Sequence, residues 1–312
     1  MKLPRPYTLK EIAAILGTNY EGTGEQLITG VNEIHQVEKG DLTFVDHPKY
    51  YDRVLFSHAA AVIINTKPND SMGKSLIFSD DPFRDYNLFV NQFLSFTKSN
   101  HPISPSAIIG KNTIIQPNVF IGDNVVIGDD CTIHSNVSIY HNCEIGNNVV
   151  VHSNTVIGAD AFYYKRKTDG YHKLLSSGRV IIKDFVEIGA NCTIDRGVSG
   201  NTTIGEGTKL DNLIQIGHDT VIGRNCLFAA QVGVAGCVTI EDDVILWGQV
   251  GVQKDLTIGK GAIVLGQSGV PKSLDGDKSY FGSPAVEARE KMKEIAYIKQ
   301  IPTLIKLLTE KL

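Results

Sequence analysis

From residue 103 onward an aliphatic side chain returns every six positions: Ile103, Ile109, Ile115, Ile121, Ile127, Ile133, Ile139, Ile145, Val151 and Ile157. The series resumes at Ile182, Ile188 and Ile194, and after a four-residue insertion continues from Ile204 through Leu210, Ile216, Ile222 and Phe228 to Val270. A period of six fits no helix, because 3.6 residues per turn would spread these side chains around every face. It fits short strands joined by turns: each six-residue unit gives one strand with its aliphatic inward, and three units close one triangular coil of a parallel β-helix. About 25 such units make about eight coils. The residue after the aliphatic is often glycine, as at Gly110, Gly122, Gly128, Gly146, Gly217 and Gly223, which accounts for part of a total of 30 glycines in 312 residues. Glycine marks backbone that turns tightly or takes positive φ, so these positions are assigned to the corners. Cys131, Cys143, Cys192 and Cys226 share the fifth slot of the unit with Val and Thr and read as small core fillers.

Several function classes drop out on composition and motif. A formal charge of −4, from 30 basic and 34 acidic residues, supplies no field for a nucleic acid backbone, so no nucleic-acid partner is expected. No apolar run reaches the ~18 residues needed for a transmembrane segment, and the N-terminus lacks a signal-peptide core and cleavage site. A cytoplasmic protein is expected, at most peripheral to the inner membrane. The five cysteines form no CxxC pair, and P-loop, HExxH, GxSxG and Rossmann fingerprints are absent. His134, His141 and His152 sit among Asn and Ser at turns and read as solvated repeat positions rather than a metal triad.

Three stretches escape the period. Residues 1–100 mix a helix-like TLKEIAAILG with strand-like DLTFV and AAAVIIN, a separate α/β domain. Residues 101–274 are assigned to the β-helix domain, with an aromatic and basic insertion over 159–180, either a functional loop or a packing element against a neighbouring subunit. Residues 275–312 read as a C-terminal helical tail starting at Ser283-Pro284 and broken at Pro302. It either caps the solenoid or presents Lys291, Lys293, Lys299, Lys306 and Lys311 to an acidic partner.

Across nearly its whole length the chain resembles the UDP-3-O-(3-hydroxyacyl)glucosamine N-acyltransferases of lipid A biosynthesis, members of the hexapeptide-repeat acyltransferases. The resemblance is carried by ITGVNEIHQVEKGDLTF and Pro48-Lys49-Tyr50 in the N-terminal domain. In the coils it is carried by GRVII, VEIGANCTIDRG, Asp211-Asn212 and the rest of DNLIQIGH, and the closing Gly282-Ser283-Pro284-Ala285. It implies a mainly β fold: a left-handed parallel β-helix of hexapeptide repeats with an N-terminal α/β uridine-binding domain and a C-terminal helical tail. It further implies a homotrimer with sites between subunits, an acyl carrier protein as donor, UDP-3-O-acylglucosamine as acceptor, and no dissociable cofactor or metal, the thioester arriving on the donor's 4'-phosphopantetheine arm.

By the same resemblance His218 is the general base, a task that imidazole suits, with Asp219 or another carboxylate orienting it and the Gly236 N–H stabilising the oxyanion. Phe44, Lys49 and Tyr50 match the family's uracil site, and Asp211 and Asn212 its substrate-binding segment. Four positions depart from the pattern: His47 replaces an Asn at the uracil edge, Asp255 stands for a second active-site His, Trp247 for a Gly beside the acyl groove, and Gly269 for a Met at its floor in some members. Two other readings remain at this level, another sugar-nucleotide acyl- or acetyltransferase and a non-catalytic paralogue that binds nucleotide or carrier protein.

Overall fold

The computed structural model describes residues 1–94 and 98–309, which divide into two compact units. The first unit is Met1–Asn100 with Asp160–Arg179 and Arg196–Asn201; the second is His101–Ala159 with Val180–Asp195 and the chain from Thr202 onward.

The first unit is built on a six-stranded sheet in the order Lys2–Thr8, Leu27–Val31, Asp41–Val45, Ala61–Ile64, Ser75–Phe78, Tyr20–Glu21. The inner pairs are parallel and the two outer strands antiparallel to their neighbours. Ala61–Ile64 is buried at every position, as a central parallel strand covered on both faces must be. The helix Leu9–Leu16 starts on a capping box in which Thr8 and Glu11 satisfy each other's backbone N–H, and it stops at Gly17 with φ 65°. The helix Pro82–Asn91, capped by Asp81, turns Phe83, Tyr86 and Phe89 into the core with Leu42, Ile63 and Ile77.

The insertion, assigned from sequence to the β-helix domain, joins this first unit instead. Its strands Tyr164–Lys167 and Gly170–Lys173 form an antiparallel hairpin, while Ala161 and Leu174 are buried with Leu42 and Phe89. The Asn87 side chain donates to the Lys173 carbonyl at 2.9 Å and accepts from the Leu175 N–H at 3.0 Å. The four-residue insertion ahead of Ile204 behaves likewise: Val198 enters the same core, and Ser199 Oγ accepts the Glu33 N–H at 3.0 Å. The hexapeptide frame offers no inward slot to these apolar residues, and the α/β core does.

The second unit is a three-faced parallel β-helix. Following the chain round one coil, a first face of 8 strands includes Val221–Ile222 and Thr239–Ile240. A second face of 10 includes Lys209–Leu210, Leu227–Phe228 and Ile245–Leu246, and a third of 8 includes Gln215–Ile216, Gly233–Val234, Gly251–Val252 and Gly269–Val270. Equivalent residues stack in register from coil to coil, as Ile127 on Ile145 and Ile216 on Val234. From Ile121 onward the aliphatics and the four fifth-slot cysteines form one continuous buried core, closed at its C-terminal end by Tyr280 and Ala285, while Ile103 and Ile115 in the first coil are partly buried and Ile109 is exposed. Burial pushes the thiols of Cys131 and Cys192 up, and that of Cys226 to about 11.

Two expectations are corrected by this geometry. The left-handed backbone at the corners is carried mostly by Asn and Asp, as at Asn112, Asn118, Asn124 and Asp130 with φ between 56° and 63°, and, Gly158 at φ 89° apart, not by the glycine after the aliphatic. That glycine is required by close approach: a Cβ on Gly128 would lie 2.7 Å from the carbonyl carbon and oxygen of Gly146 in the next coil. The tail is a single helix, Ala288–Thr309, that runs through Pro302 instead of breaking there. It buries none of its residues, so the Ile298 carbonyl that loses its N–H partner to the proline ring faces water, and the usual interior penalty is reduced. The helix therefore does not cap the core. Lys291 is paired with Glu294 at 2.9 Å, and Lys311 lies outside the described residues.

Candidate active site

The corner between the third and first faces brings together His218, Asp219, Gly236 and Cys237. His218 Nδ1 lies 2.9 Å from Asp219 Oδ2, with side-chain exposures of only 12% and 3%. The pair is held by its backbone: Asp219 sits at φ 56°, its N–H donates to Thr202 Oγ1 at 2.9 Å, and the His218 carbonyl accepts the Cys237 N–H at 2.8 Å. With Nδ1 directed to the carboxylate, Nε2 is the nitrogen on the opposite side of the ring. It lies against Gly236, where an added Cβ would be 2.5 Å from Nε2 and 2.6 Å from Cε1. Only glycine leaves room for the imidazole in this place.

Gly236 has a second property that follows from the stacking. At many corners the N–H of the residue after the glycine slot is capped by a side chain from the next coil: Asp129 by Asn147 Oδ1 at 2.8 Å, Asp123 by His141 Nδ1 at 2.8 Å, Arg224 by Asp242 Oδ1 at 2.8 Å. The residue stacked above Gly236 is Lys254, which has no acceptor, and the Gly236 N–H has no hydrogen-bond partner among the described residues. A rigid, open N–H donor beside a base nitrogen is the arrangement an oxyanion requires. Asp255 stands in the same column as Asp219 and Cys237, but its carboxylate is half exposed and 3.5 Å from Lys254 Nζ.

Asp211, Asn212 and Trp247 fall on the other side of the third face, at the corner that follows the second face. There they line a cavity of about 510 Å³ with His152, Glu187 and Lys209. Asn212 Oδ1 accepts the Ala190 N–H at 2.7 Å and its own amide donates to Asp211 Oδ1 at 3.0 Å, which fixes both side chains. One end of the cavity is polar and the other, at Leu227, Ala229 and Trp247, is apolar. His152, read as a solvated turn residue, lies 3.2 Å from Glu187 and stacks on His134 at 4.9 Å. Nothing in its local sequence distinguishes it, since the cavity is made by residues of successive coils.

Between the two corners the outward positions of the third face are glycine in three successive coils, Gly233 on Gly251 on Gly269. A Cβ on Gly233 or Gly251 would meet nothing within 4 Å, and one on Gly269 only Ser283 Oγ at 3.0 Å. Packing within the chain does not demand these glycines. They leave a bare backbone strip from the cavity corner to the His218 corner.

In the first unit His47, Lys49 and Tyr50 lie on one short turn, Pro48–Tyr50, where His47 Nδ1 accepts the Lys49 N–H at 3.2 Å. That is the capping bond an Asn side chain makes at such a position, so His47 replaces its local structural role. Tyr50 is exposed, 6.0 Å from the His47 ring and 5.6 Å from Lys49 Nζ. Phe44 is different: its ring packs at 4.6 Å on Tyr86 and 6.0 Å from Phe83, half-buried in the core. Two lysines from the insertion, which no local motif assigns to a site, join this side of the unit. Lys165 pairs with Asp46 and Lys167 with Asp81, and both ammonium groups lie about 5.5 Å from the Phe83 ring.

A protein from Cytophaga hutchinsonii named UDP-3-O-acylglucosamine N-acyltransferase is 42% identical to this chain over 333 aligned positions, covering 97% of the chain and 95% of that protein. The chain belongs to this acyltransferase family. A same-named protein of Neisseria meningitidis is 43% identical over 76% of the chain and 75% of its own length. The match to one from Methylobacterium nodulans, 42% identical, is confined to 46% of the chain and 41% of that protein. The family model of UDP-3-O-(3-hydroxymyristoyl) glucosamine N-acyltransferase matches residues 25–91, and the bacterial transferase hexapeptide model matches 124–159 and 201–236. Among solved structures, the UDP-N-acetylglucosamine acyltransferase of Bacteroides fragilis aligns at 28% identity with a TM-score of 0.56, over 62% of this chain and 74% of that one. The β-helix is thus an acyltransferase fold, and no helix among the described residues is long and apolar enough to cross a membrane.

Proposed function

We infer that this acyltransferase moves a 3-hydroxyacyl chain from the thioester of an acyl carrier protein to the 2-amino group of UDP-3-O-acylglucosamine, a step of lipid A biosynthesis. The observation that carries the mechanism is the His218 corner: an imidazole anchored through Nδ1 by a buried carboxylate, with Nε2 beside an open backbone N–H. The sugar's amine attacks the thioester carbonyl carbon, and the C–N bond forms as the carbonyl electrons move to oxygen. The Gly236 N–H donates to that oxyanion. Nε2 of His218 takes the proton that the nitrogen sheds, and Asp219 stabilises the resulting imidazolium. The intermediate then collapses, the C–S bond breaks, and the departing pantetheine sulfur receives the proton from His218. The chain supplies base, orienter and donor; no dissociable cofactor or metal takes part, and the 4'-phosphopantetheine arm comes with the donor.

Substrate binding is assigned to two places. At the first, where the cavity corner of one copy would meet the His218 corner of another, Asp211 and Asn212 from the cavity and Asp255 from the His218 corner serve the amino sugar, and the apolar end of the cavity at Trp247 serves an acyl chain. His47, Lys49 and Tyr50, with Phe44 behind them in the core, serve the uridine diphosphate, Tyr50 offering an exposed ring and Lys49 a charge for phosphate. The assembly we infer is a homotrimer. Two features support it: the cavity and the base stand at different corners of one chain, and the tail helix leaves Ile298, Ile301, Ile305 and Leu308 exposed, apolar surface that a second copy can cover. Acyl carrier protein is acidic, and the tail lysines Lys293, Lys299 and Lys306 suit it. Water-borne donor and nucleotide acceptor place the reaction in the cytoplasm, at most peripheral to the inner membrane.

The test is mass spectrometry of the product formed from UDP-3-O-acylglucosamine and a set of acyl carrier protein donors, with wild type and His218→Ala side by side. A product heavier by one 3-hydroxyacyl group and lacking a free amine is expected from wild type. Transfer by His218→Ala within tenfold of wild type, under about 1.4 kcal/mol of barrier, refutes the base assignment.

A further inference from the structure

Four of the five cysteines fill the core, and Cys237 does not. It occupies a corner position at φ 61°, a conformation that the equivalent corners give mostly to Asn, Asp and Gln and that a cysteine has no steric reason to adopt. Its place in the stack puts its thiol with the His218 imidazole and the Asp219 carboxylate, one donor atom from each lying within 4.8 Å of the others. We propose that His218, Asp219 and Cys237 form a binding site for a thiophilic divalent cation such as zinc, whose occupation switches the enzyme off.

The donor set is the chemical argument. Nitrogen, carboxylate oxygen and thiolate sulfur are the three ligand types that zinc takes from proteins, at about 2.0 to 2.3 Å. Around one tetrahedral ion such donors stand roughly 3.3 to 3.8 Å apart, so a cluster already inside 4.8 Å needs side-chain rotation and no backbone movement. The backbone under the cluster is fixed by the Thr202 and Cys237 hydrogen bonds. Magnesium and calcium, which prefer all-oxygen shells, do not suit it. Three protein ligands leave a fourth position for water.

The effect on turnover rests on the reading of His218 as the base, while the binding does not. If the ion takes Nε2, it occupies the lone pair that accepts the proton. If it takes Nδ1, the neutral ring carries its remaining proton on Nε2, which then donates and cannot accept. Either way the base is lost and the Asp219 carboxylate is drawn to the metal.

The experiment uses the full chain, fully reduced, titrated with cobalt(II) as a spectroscopic substitute and then with zinc. Wild type is expected to show a thiolate-to-cobalt charge-transfer absorption saturating at one cobalt per chain, displaced by zinc, with acyl transfer lost over the same zinc range. Cys237→Asn places at the corner a residue that equivalent corners already carry. It is expected to lose the absorption and, measured against its own zinc-free rate, to need at least tenfold more zinc for inhibition. Burial raises the thiols of Cys131, Cys192 and Cys226, which makes them poor ligands at neutral pH, and Cys143 is enclosed in the same core. Absence of the absorption in wild type, or its persistence in Cys237→Asn, overturns the site. Absorption that depends on Cys237 while transfer is untouched by zinc overturns the switch and, with it, the assignment of His218 as base, leaving the metal site standing.

Discussion

Replacing Gly236 by alanine tests the candidate site with the smallest possible change. The backbone N–H remains, so the oxyanion donor is chemically intact. The new Cβ would lie 2.5 Å from Nε2 of His218, 2.6 Å from Cε1 and 2.8 Å from Cδ2. Ordinary contact begins near 3.5 Å, so the imidazole must retreat by about 1 Å. It retreats as a side chain, and the Asp219 bond to Nδ1 gives way before the coil does. A displacement of about 1 Å between a catalytic group and its reacting partner costs about 10²-fold in rate, or about 2.7 kcal/mol of barrier. The expected result is a kcat for acyl transfer lower by about two orders of magnitude, with KM for the sugar nucleotide and the unfolding temperature little changed. Gly128→Ala is the matched control. There the Cβ meets the backbone of Gly146 at 2.7 Å, which has nowhere to go, and overpacking of that kind costs roughly 1 to 3 kcal/mol of stability. It should lower the unfolding temperature and leave kcat of the folded protein alone. A Gly236→Ala enzyme within threefold of wild-type kcat would show that the imidazole beside Gly236 is not the reacting base.

Trp247→Gly opens the apolar end of the cavity. At about 0.8 kcal/mol per buried methylene, two added carbons on the donor should gain roughly tenfold in relative kcat/KM across an acyl carrier protein series, and an unchanged profile would remove Trp247 from the acyl path. Mixing His218→Ala with Asp211→Ala chains, each inactive alone, should restore about a quarter of wild-type activity if every site takes one residue from each of two neighbours in a closed ring; no recovery after dissociation and reassembly argues against shared sites. The Arg5 guanidinium and then the Thr8 N–H hold the exposed Glu11 carboxylate down to about 2 from an ordinary 4.5. Its folded-state pKa is depressed, so its contribution to the α/β unit is complete above about pH 4.5 and lost as pH falls toward 2, and Glu11→Gln should flatten that part of an acid-unfolding curve.

The parts of the fold that were legible are those set by a local period. Six-residue spacing of Ile, Val and Leu specifies inward side chains, three faces and in-register stacking, and the segment TLKEIAAILG reads as the first helix. The parts that were not legible depend on what the next coil, or another part of the chain, puts opposite a residue. Gly128 looks like a turn glycine, but its need for hydrogen comes from Gly146, and the turn conformation itself is carried by the neighbouring Asp130 at φ 56°. Ala161 and Leu174 look like loop residues until a core is there to receive them. Pro302 reads as a breaker by rules that assume a buried helix, and this helix is exposed.

The same stacking arithmetic reaches the site, where the signal lies in which residues succeed one another from coil to coil. Asp211 and His218 are seven residues apart, more than one six-residue unit, so no coil of this kind can place them at one corner. Gly236 and Lys254 stand above His218 in successive coils, one without a side chain and the other without an acceptor, which opens an N–H that Asp242 closes for Arg224 a corner away. A solenoid held rigid by its ladders cannot fold one corner onto another to complete a site. The strip at Gly233, Gly251 and Gly269, where a side chain would meet little or nothing of this chain, is on the proposed function the surface open to substrate or to a second copy with its own His218 corner. On the proposed function, activity follows from position in a stack: the assigned base has room, and its assigned donor is open, because the next coils lack a blocking side chain at Gly236 and an acceptor at Lys254.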